Sequence, residues 1–302
     1  MNKYSQLVNL AVSKGCRCLE NEPMSRHTSF RIGGPAQLFI SVKDNDALVD
    51  LIKYINQSNI PYFVLGKGSN LLVSDAGIEG VVLNICTDNI EMIAADTISC
   101  DAGVRLSQLC GFALEGSLSG LEFAYGIPGT VGGAVFMNAG AYISEMKNVV
   151  VASRHITPEG KIEEITGDML GFGYRTSCYH NTKNLIISAT FKLNTGDKAE
   201  INKMMQDFMN RRRSKQPLEL PSAGSVFKRP EGLYAGALIE ECGLKGFSIG
   251  GAAVSEKHSG FIVNTGFASC ADVLSLIKHI QDTVYSQKGV WLENEIKFVG
   301  RQ

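Results

Sequence analysis

Two glycine-rich stretches are the first places in this chain where residue type and spacing could do chemistry. In Gly66-Lys67-Gly68-Ser69-Asn70, running on into Leu71, two glycines let backbone N–H groups approach an anion, and the Ser69 and Asn70 side chains add donors. Such a loop can cradle a pyrophosphate. It is not the Rossmann fingerprint, because Leu71 stands where the third glycine belongs and strand-like residues follow; nor is it a Walker loop. Alone, a glycine pair after a strand is equally the mark of a plain turn. The second stretch, Gly126-Ile127-Pro128-Gly129-Thr130-Val131-Gly132-Gly133-Ala134, packs four glycines and a proline into nine residues, more than one reversal of the chain requires. Asn138-Ala139-Gly140-Ala141 continues the small residues. Close packing of two backbones would exclude bulky side chains there, and so would a wall against a large planar or phosphorylated ligand.

The surrounding pattern predicts the elements that hold these loops. Leu48, Leu51, Ile52 and Ile55 recur at helical spacing between Asp46 and Gln57, and Pro61 stops the helix. Tyr62 to Leu65 then reads as a short strand ending at Gly66, with strand character resuming at Leu71 to Val73 and Val81 to Leu83. Strands are expected at Ile98 to Ala102 and Leu185 to Phe191, with a helix near Leu106 to Leu114. Past Thr195-Gly196-Asp197, Ile201, Met204, Met205 and Phe208 share one side of a helix that ends in Arg211-Arg212-Arg213, where cations suit the C-terminal dipole. A last helix places Val273, Ile277, Ile280 and Val284 on one face, opened by Ser269-x-x-Asp272 and followed by Gly289; Trp291 to Val299 reads as a closing strand in which Glu293 and Glu295 share a face. The expected class is α+β, with segments at 1–85, 86–195 and 196–302.

Bulk properties narrow the function. With 302 residues, 44% of them apolar, the chain can bury cores for two or three domains. Lys plus Arg number 29 against 30 for Asp plus Glu, so no global field calls for nucleic acid or an anionic membrane. Eight scattered cysteines include no Cys-x-x-Cys pair and the five histidines form no ligand cluster, so no metal is expected and the thiols read as buried and free. Charges at Lys3, Lys14 and Arg17 interrupt any secretory apolar run, and no stretch has the roughly 18 apolar residues of a spanning helix, which leaves a cytoplasmic protein as the expectation.

With both loops in view, the chain resembles the UDP-N-acetylenolpyruvoylglucosamine reductases, a family of the vanillyl-alcohol-oxidase type of FAD-binding proteins. The resemblance runs through Thr28-Ser29-Phe30-Arg31-Ile32-Gly33-Gly34, the two loops, Gly173-Tyr174-Arg175, Lys215-Gln216-Pro217, Ala223-Gly224-Ser225-Val226-Phe227, Val254-Ser255-Glu256-Lys257-His258 and Leu292-Glu293-Asn294-Glu295-Ile296. Nearly the whole chain is covered, in the shorter form of the family. Arg229 departs from the asparagine of many members, and Ile143 stands where glycine is common after Tyr142. The fold so implied is a two-subdomain FAD-binding unit followed by a smaller α+β substrate-binding domain.

The resemblance implies an enzyme of cell-wall precursor synthesis in which a hydride passes from NADPH through FAD to the methylene carbon of an enolpyruvyl group. It assigns FAD to Gly66, Lys67, Gly68, Ser69, Asn70, Leu71, Gly126, Ile127, Pro128, Gly129, Thr130, Gly133 and Ala134. No histidine or cysteine sits in either loop for covalent attachment. Arg175, Ser225 and Glu295 are implied as catalytic: the arginine faces the substrate carboxylate, the serine gives the quenching proton, and the glutamate pairs with the charged groups around the intermediate. Tyr174, Lys215 and Arg229 are implied as substrate contacts, and Arg212 as a further phosphate partner. Taken singly, Arg175 could be a surface ion pair, Ser225 a turn residue and the arginine run a solvated helix end. NADPH and the sugar nucleotide would occupy one site in turn, with no nucleic acid, membrane or obligate protein partner. The alternatives are a flavin oxidase of a hydroxylated donor on the same fold, and a binding module without turnover.

Overall fold

The computed structural model describes residues 2–142 and 144–301. Ile143, one of the two departures from the family pattern, lies outside them. The chain divides into two compact units, one made of residues 1–20, 38–67 and 80–211 and the other of 21–37, 68–79 and 212–302.

The first unit holds two sheets. In the four-stranded one the order is Arg17–Pro23, Pro35–Val42, Ile78–Ile85, Tyr62–Leu65, the last two running parallel with Tyr62 beside Val81. Helix α1, Lys3–Ser13, precedes this sheet and buries Leu7 and Ala11, an element the sequence pattern did not announce. Helix α2, Asn45–Gln57, is the expected one: Leu48, Leu51, Ile52 and Ile55 are all buried, and the Asp44 carboxylate caps it by accepting from the N–H groups of Asp46 (2.7 Å) and Ala47 (2.9 Å).

The second sheet is antiparallel throughout, in the order Ile162–Thr166, Val150–Ile156, Leu185–Lys192, Thr97–Asp101, Ile90–Ala94. Helix α3 (Leu106–Glu115), the short helix α4 (Val131–Phe136) and helix α5 (Lys198–Lys215) accompany it, and one apolar cluster runs from Leu7 to Phe208. In α5, Ile201, Met205 and Phe208 are buried but Met204 is 42% exposed, so it does not join their face. The spacing i, i+4, i+7 defines a stripe that residue i+3 flanks without entering. The helix also continues through Lys215, past the arginine run.

A polar network lies inside this apolar unit. The Tyr179 hydroxyl donates to Ser153 Oγ at 3.0 Å and stands 3.3 Å from His155 Nδ1, while Ser153 Oγ donates to the Ser188 carbonyl at 3.2 Å. His155 is 1% exposed; its Nε2 has no hydrogen-bond partner, with Glu163 Oε2 at 3.8 Å. Burial holds this imidazole below its ordinary range, and Glu163 acts weakly the other way. The unfolded chain therefore takes up a proton near pH 6.5 before the folded one does, and stability is lost as pH falls through that value. Urea midpoints should drop between neutral pH and roughly pH 5.5 more steeply in the wild type than in His155→Gln, which keeps a neutral polar group there. Parallel curves for the two proteins would remove His155 from the acid response.

The second unit is built on a four-stranded antiparallel sheet ordered Ser222–Ser225, Phe261–Asn264, Ala252–Val254, Ser248–Ile249, with helices α6 (Ala235–Glu241) and α7 (Cys270–Lys288). Helix α7 begins and ends as its sequence implies. Ser269 and Asp272 form a reciprocal cap, Gly289 closes it with φ of 69°, and Val273, Ile277, Ile280 and Val284 are buried. The Asp75 carboxylate also accepts from the Cys270 and Ala271 N–H groups at the helix start.

The closing strand is shorter than the pattern implied. Only Lys297–Val299 is extended pairing, parallel to Leu71–Val73; residues 292–296 instead lie against Val226 to Lys228 through a single bridge between Phe227 and Asn294. Because the chain changes partner between Glu295 and Lys297, the alternation of faces does not hold. Glu293 is exposed and pairs with Lys228 at 3.0 Å, whereas Glu295 is half-buried. Antiparallel sheets with helices set apart from them make the class α+β, as expected. Among the described residues no helix is long and apolar enough to cross a membrane, and no cluster of metal-ligating side chains occurs.

Candidate active site

The two glycine loops meet inside the first unit. A Cβ added to Gly66, at the end of the Tyr62–Leu65 strand, would stand 2.5 Å from Thr130 Oγ1, so only glycine admits that approach. Thr130 is the N-cap of α4; its hydroxyl lies 3.5 Å from the Gly133 N–H. The 126–134 loop is tied to the segment before α3 by three backbone bonds: Leu106 N–H to Gly129 O, Val131 N–H to Val104 O and Gly132 N–H to Ala102 O, at 2.9 to 3.0 Å. Gly126, Ile127 and Gly129 are half-buried, Pro128 is exposed, and Ala134 is buried in α4. A Cβ on Gly133 would find only Thr130 Oγ1, at 3.6 Å, which leaves open space beside that helix turn.

In the second unit Gly68 has φ of +64°, and a Cβ there would lie 2.1 Å from the His27 carbonyl oxygen. The Ser29 N–H donates to Gly68 O at 3.1 Å, and Asn70 is fixed by its Nδ2 donating to Glu295 O and its own carbonyl accepting from the Lys297 N–H. Among the described residues the backbone N–H groups of Gly68, Ser69 and Asn70 find no protein acceptor. Three consecutive free donors in a strained turn are the donor set of an anion site, and they suit a diphosphate. Lys67 is exposed, and Leu71 begins the strand paired with Lys297–Val299. Gly68→Ala should place about 1 to 3 kcal/mol of strain in this turn. The purified variant is expected to carry less flavin per chain and to melt lower; wild-type flavin content would dissociate the turn from cofactor binding.

Arg175 occupies a tight turn of the first unit. Gly173 and Thr176 exchange both backbone hydrogen bonds, 3.1 and 3.2 Å, with Tyr174 and Arg175 at the corner. Arg175 has φ of +56°, uncommon for a residue with a side chain and the sort of strain that gathers where a group must be aimed. Its guanidinium lies 5.1 Å from the Tyr174 ring centroid, and Nη2 donates to the Gly140 carbonyl at 3.4 Å. A planar fork of donors on a defined turn is suited to bind a carboxylate in two places at once.

Ser225 and Glu295 come together in the second unit. Ser225 ends the Ser222–Ser225 strand opposite Phe261, after a bulge in which Gly224 takes φ of +81°. The next residue, Val226, accepts the Glu295 N–H at 2.7 Å, so the serine and the glutamate flank one backbone bridge. Both are half-buried. Lys215 is the last residue of α5 and exposed; Arg229 is exposed with its guanidinium 4.5 Å from the Tyr234 ring centroid; Arg212 is half-buried.

A glycine-lined turn with spare N–H donors, a second small-residue loop against it and an aimed arginine define a flavin-dependent enzyme, and FAD is its cofactor: the FAD binding domain family matches residues 36–166. The family UDP-N-acetylenolpyruvoylglucosamine reductase, C-terminal domain, matches residues 216–299. The chain is 50% identical over 282 residues to the UDP-N-acetylenolpyruvoylglucosamine reductase of Caldanaerobacter subterraneus subsp. tengcongensis, covering 93% of each chain. To that of Clostridium perfringens it is 48% identical over 281 residues, covering 93% of this chain and 92% of the relative. The crystal structure of the Thermus caldophilus reductase superposes with a TM-score of 0.81 at 35% identity, over 94% of this chain and 99% of that one. The chain belongs to the UDP-N-acetylenolpyruvoylglucosamine reductase family.

Two features of the site were not singled out from sequence. Asn138 is fully buried with φ of +42°, and Tyr142 stacks on Phe208 at 4.3 Å while donating to the Phe208 carbonyl at 2.7 Å. An asparagine interrupting a run of glycines and alanines is the one signal that marked the first, since asparagine tolerates the left-handed region. Nothing local marked the second.

Proposed function

We propose that this chain reduces the enolpyruvyl group of UDP-N-acetylenolpyruvoylglucosamine to the lactyl ether of UDP-N-acetylmuramate, using NADPH and noncovalent FAD, in cytoplasmic synthesis of peptidoglycan precursors. The observation that carries the proposal is the bridge that sets Ser225 and Glu295 on either side of Val226. A pure binding module has no use for a proton donor held beside a carboxylate. The three-part division into 1–85, 86–195 and 196–302 belongs to the same proposal, supported by the two separate sheets of the first unit.

FAD, when bound along Gly66 to Leu71 and Gly126 to Ala134, supplies the hydride. The protein's task is to make the alkene accept it. Hydride addition at the methylene carbon pushes the π electrons toward the carbon bearing the carboxylate, and Arg175 stabilises the charge that collects there. Ser225 then gives its hydroxyl proton to that carbon, completing the C–H bond, and regains a proton from solvent. Hydroxyls are weak acids, but the enolate is a strong base, and positioning compensates. Glu295 pairs with the cationic groups around the intermediate. Lys215, Arg212 and Arg229 offer positive charge to the diphosphate, and Tyr174, packed on the arginine, orients the reacting end.

The test is anaerobic NADPH oxidation by the purified yellow protein with and without UDP-N-acetylenolpyruvoylglucosamine. Oxidation should depend on the sugar nucleotide and give parallel double-reciprocal lines, one site serving two occupants in turn. Substrate-independent oxidation would defeat the proposal. Rapid oxygen uptake with an alcohol in place of the sugar nucleotide would point to an oxidase on the same fold.

A further inference from the structure

We infer that Asn138 is the positioning residue for Arg175, and that the short helix α4 joins it to the flavin loop as one rigid block. The inference rests on the role proposed above for Arg175. Four observations within the first unit carry it.

Asn138 is 0% exposed, and both ends of its amide are used. Nδ2 donates to the carbonyl of Gly173, the residue that opens the Arg175 turn, at 2.9 Å; Oδ1 accepts from the Lys147 N–H at 2.9 Å. The far side of the turn is tied to the same stretch of chain, because Ser177 Oγ donates to the Phe136 carbonyl at 2.8 Å. Residues 136 and 138 therefore grip the 173–177 turn from both sides. The guanidinium then finds the Gly140 carbonyl, two residues further on.

Strain explains why such a grip is needed. Arg175 at φ of +56° costs on the order of 1 kcal/mol, and an unrestrained turn would relax. Asn138 is itself left-handed at φ of +42°, a conformation asparagine tolerates better than most residues. Aspartate in its place could still accept from the Lys147 N–H but would set a carboxylate against the Gly173 carbonyl. Glycine would take the backbone angle freely and lose both bonds.

Helix α4 gives the grip its catalytic meaning. Its N-cap is Thr130, the residue that meets Gly66 where the two loops touch, and its C-terminal turn ends at Phe136, two residues before Asn138. Six helical residues rise about 9 Å. The loop that takes the cofactor and the turn that aims Arg175 are thus fixed to opposite ends of one short rod.

Asn138→Asp and Asn138→Gly are expected to retain flavin and to be reduced by NADPH at the wild-type rate. Turnover of the enolpyruvyl substrate should fall, by about 10²-fold if the guanidinium is displaced by an ångström. The loss should lie in kcat more than in KM, and titration with UDP-N-acetylmuramate should perturb the flavin absorbance less than in the wild type. In an Arg175→Lys background the same substitutions should add little, since the group they position is gone. Four results decide the matter otherwise. Full turnover by Arg175→Lys overturns the role of Arg175 itself, whatever Asn138 does. With Arg175→Lys impaired, wild-type turnover by both Asn138 variants overturns the inference. So do losses at 138 and 175 that multiply. Equal loss of both half-reactions, or of flavin, in both variants assigns Asn138 to stability alone and overturns it too.

Discussion

Ser225→Ala is expected to leave flavin reduction by NADPH untouched while lowering product formation by about 10² to 10⁴-fold, the range over which a positioned proton donor contributes. The asymmetry follows from where the serine stands. It ends a strand in the second unit and touches neither glycine loop's backbone network, so the cofactor's hold on the chain does not pass through it. Removing one oxygen from a half-buried side chain also leaves the bulge at Gly224 and the Val226 to Glu295 bridge in place. Rapid mixing of NADPH-reduced, anaerobic variant with the sugar nucleotide measures the affected step directly. In D2O the wild type should deliver deuterium to the carbon bearing the carboxylate. If the alanine variant reoxidises as fast as the wild type, Ser225 gives no proton and the assignment of the site in this unit is wrong.

Local pattern made much of the frame legible, for reasons that differ element by element. Helices α2 and α7 announce both their buried stripe and their caps within a few residues, Asp44 at one and Ser269, Asp272 and Gly289 at the other, so no distant contact was needed to place them. The Trp291 to Val299 strand was read too long because its two halves pair with segments far away in sequence, Val226 to Lys228 and Leu71–Val73. Pairing partners at such separations leave no local trace. Helix α1 buries only Leu7 and Ala11, too thin a stripe to stand out.

The candidate site divides the same way. Glycine loops are visible because backbone approach constrains residue type, and the near-contact of Gly66 with Thr130 is the physical reason for it. By contrast, Arg175, Ser225 and Glu295 are ordinary residue types in isolation, and only the family resemblance drew them out. What neither route offered was the strain at Arg175 and the buried amide that grips its turn, since a positive φ on an arginine has no sequence signature.

That strain makes the second large effect separable from stability. Arg175→Lys keeps a cation but loses the planar fork, and a point charge cannot match both oxygens of a carboxylate. Turnover should fall by about 10² to 10³-fold, the cost typical of removing one donor from a developing oxyanion. Arg175→Gly should be at least as damaging to turnover yet leave Tm unchanged or higher. Glycine takes φ of +56° without the penalty of about 1 kcal/mol or more that a side chain incurs, and the contacts it forfeits, to Gly140 O at 3.4 Å and to the half-exposed Tyr174 ring, are weak ones. Differential scanning calorimetry and steady-state turnover on the same preparations test both halves. A glycine variant that unfolds early would mean the arginine braces the turn for the sake of the fold. One that turns over normally would mean the carboxylate charge is met elsewhere. A stable, inactive protein is the result expected of a residue held in strain for chemistry.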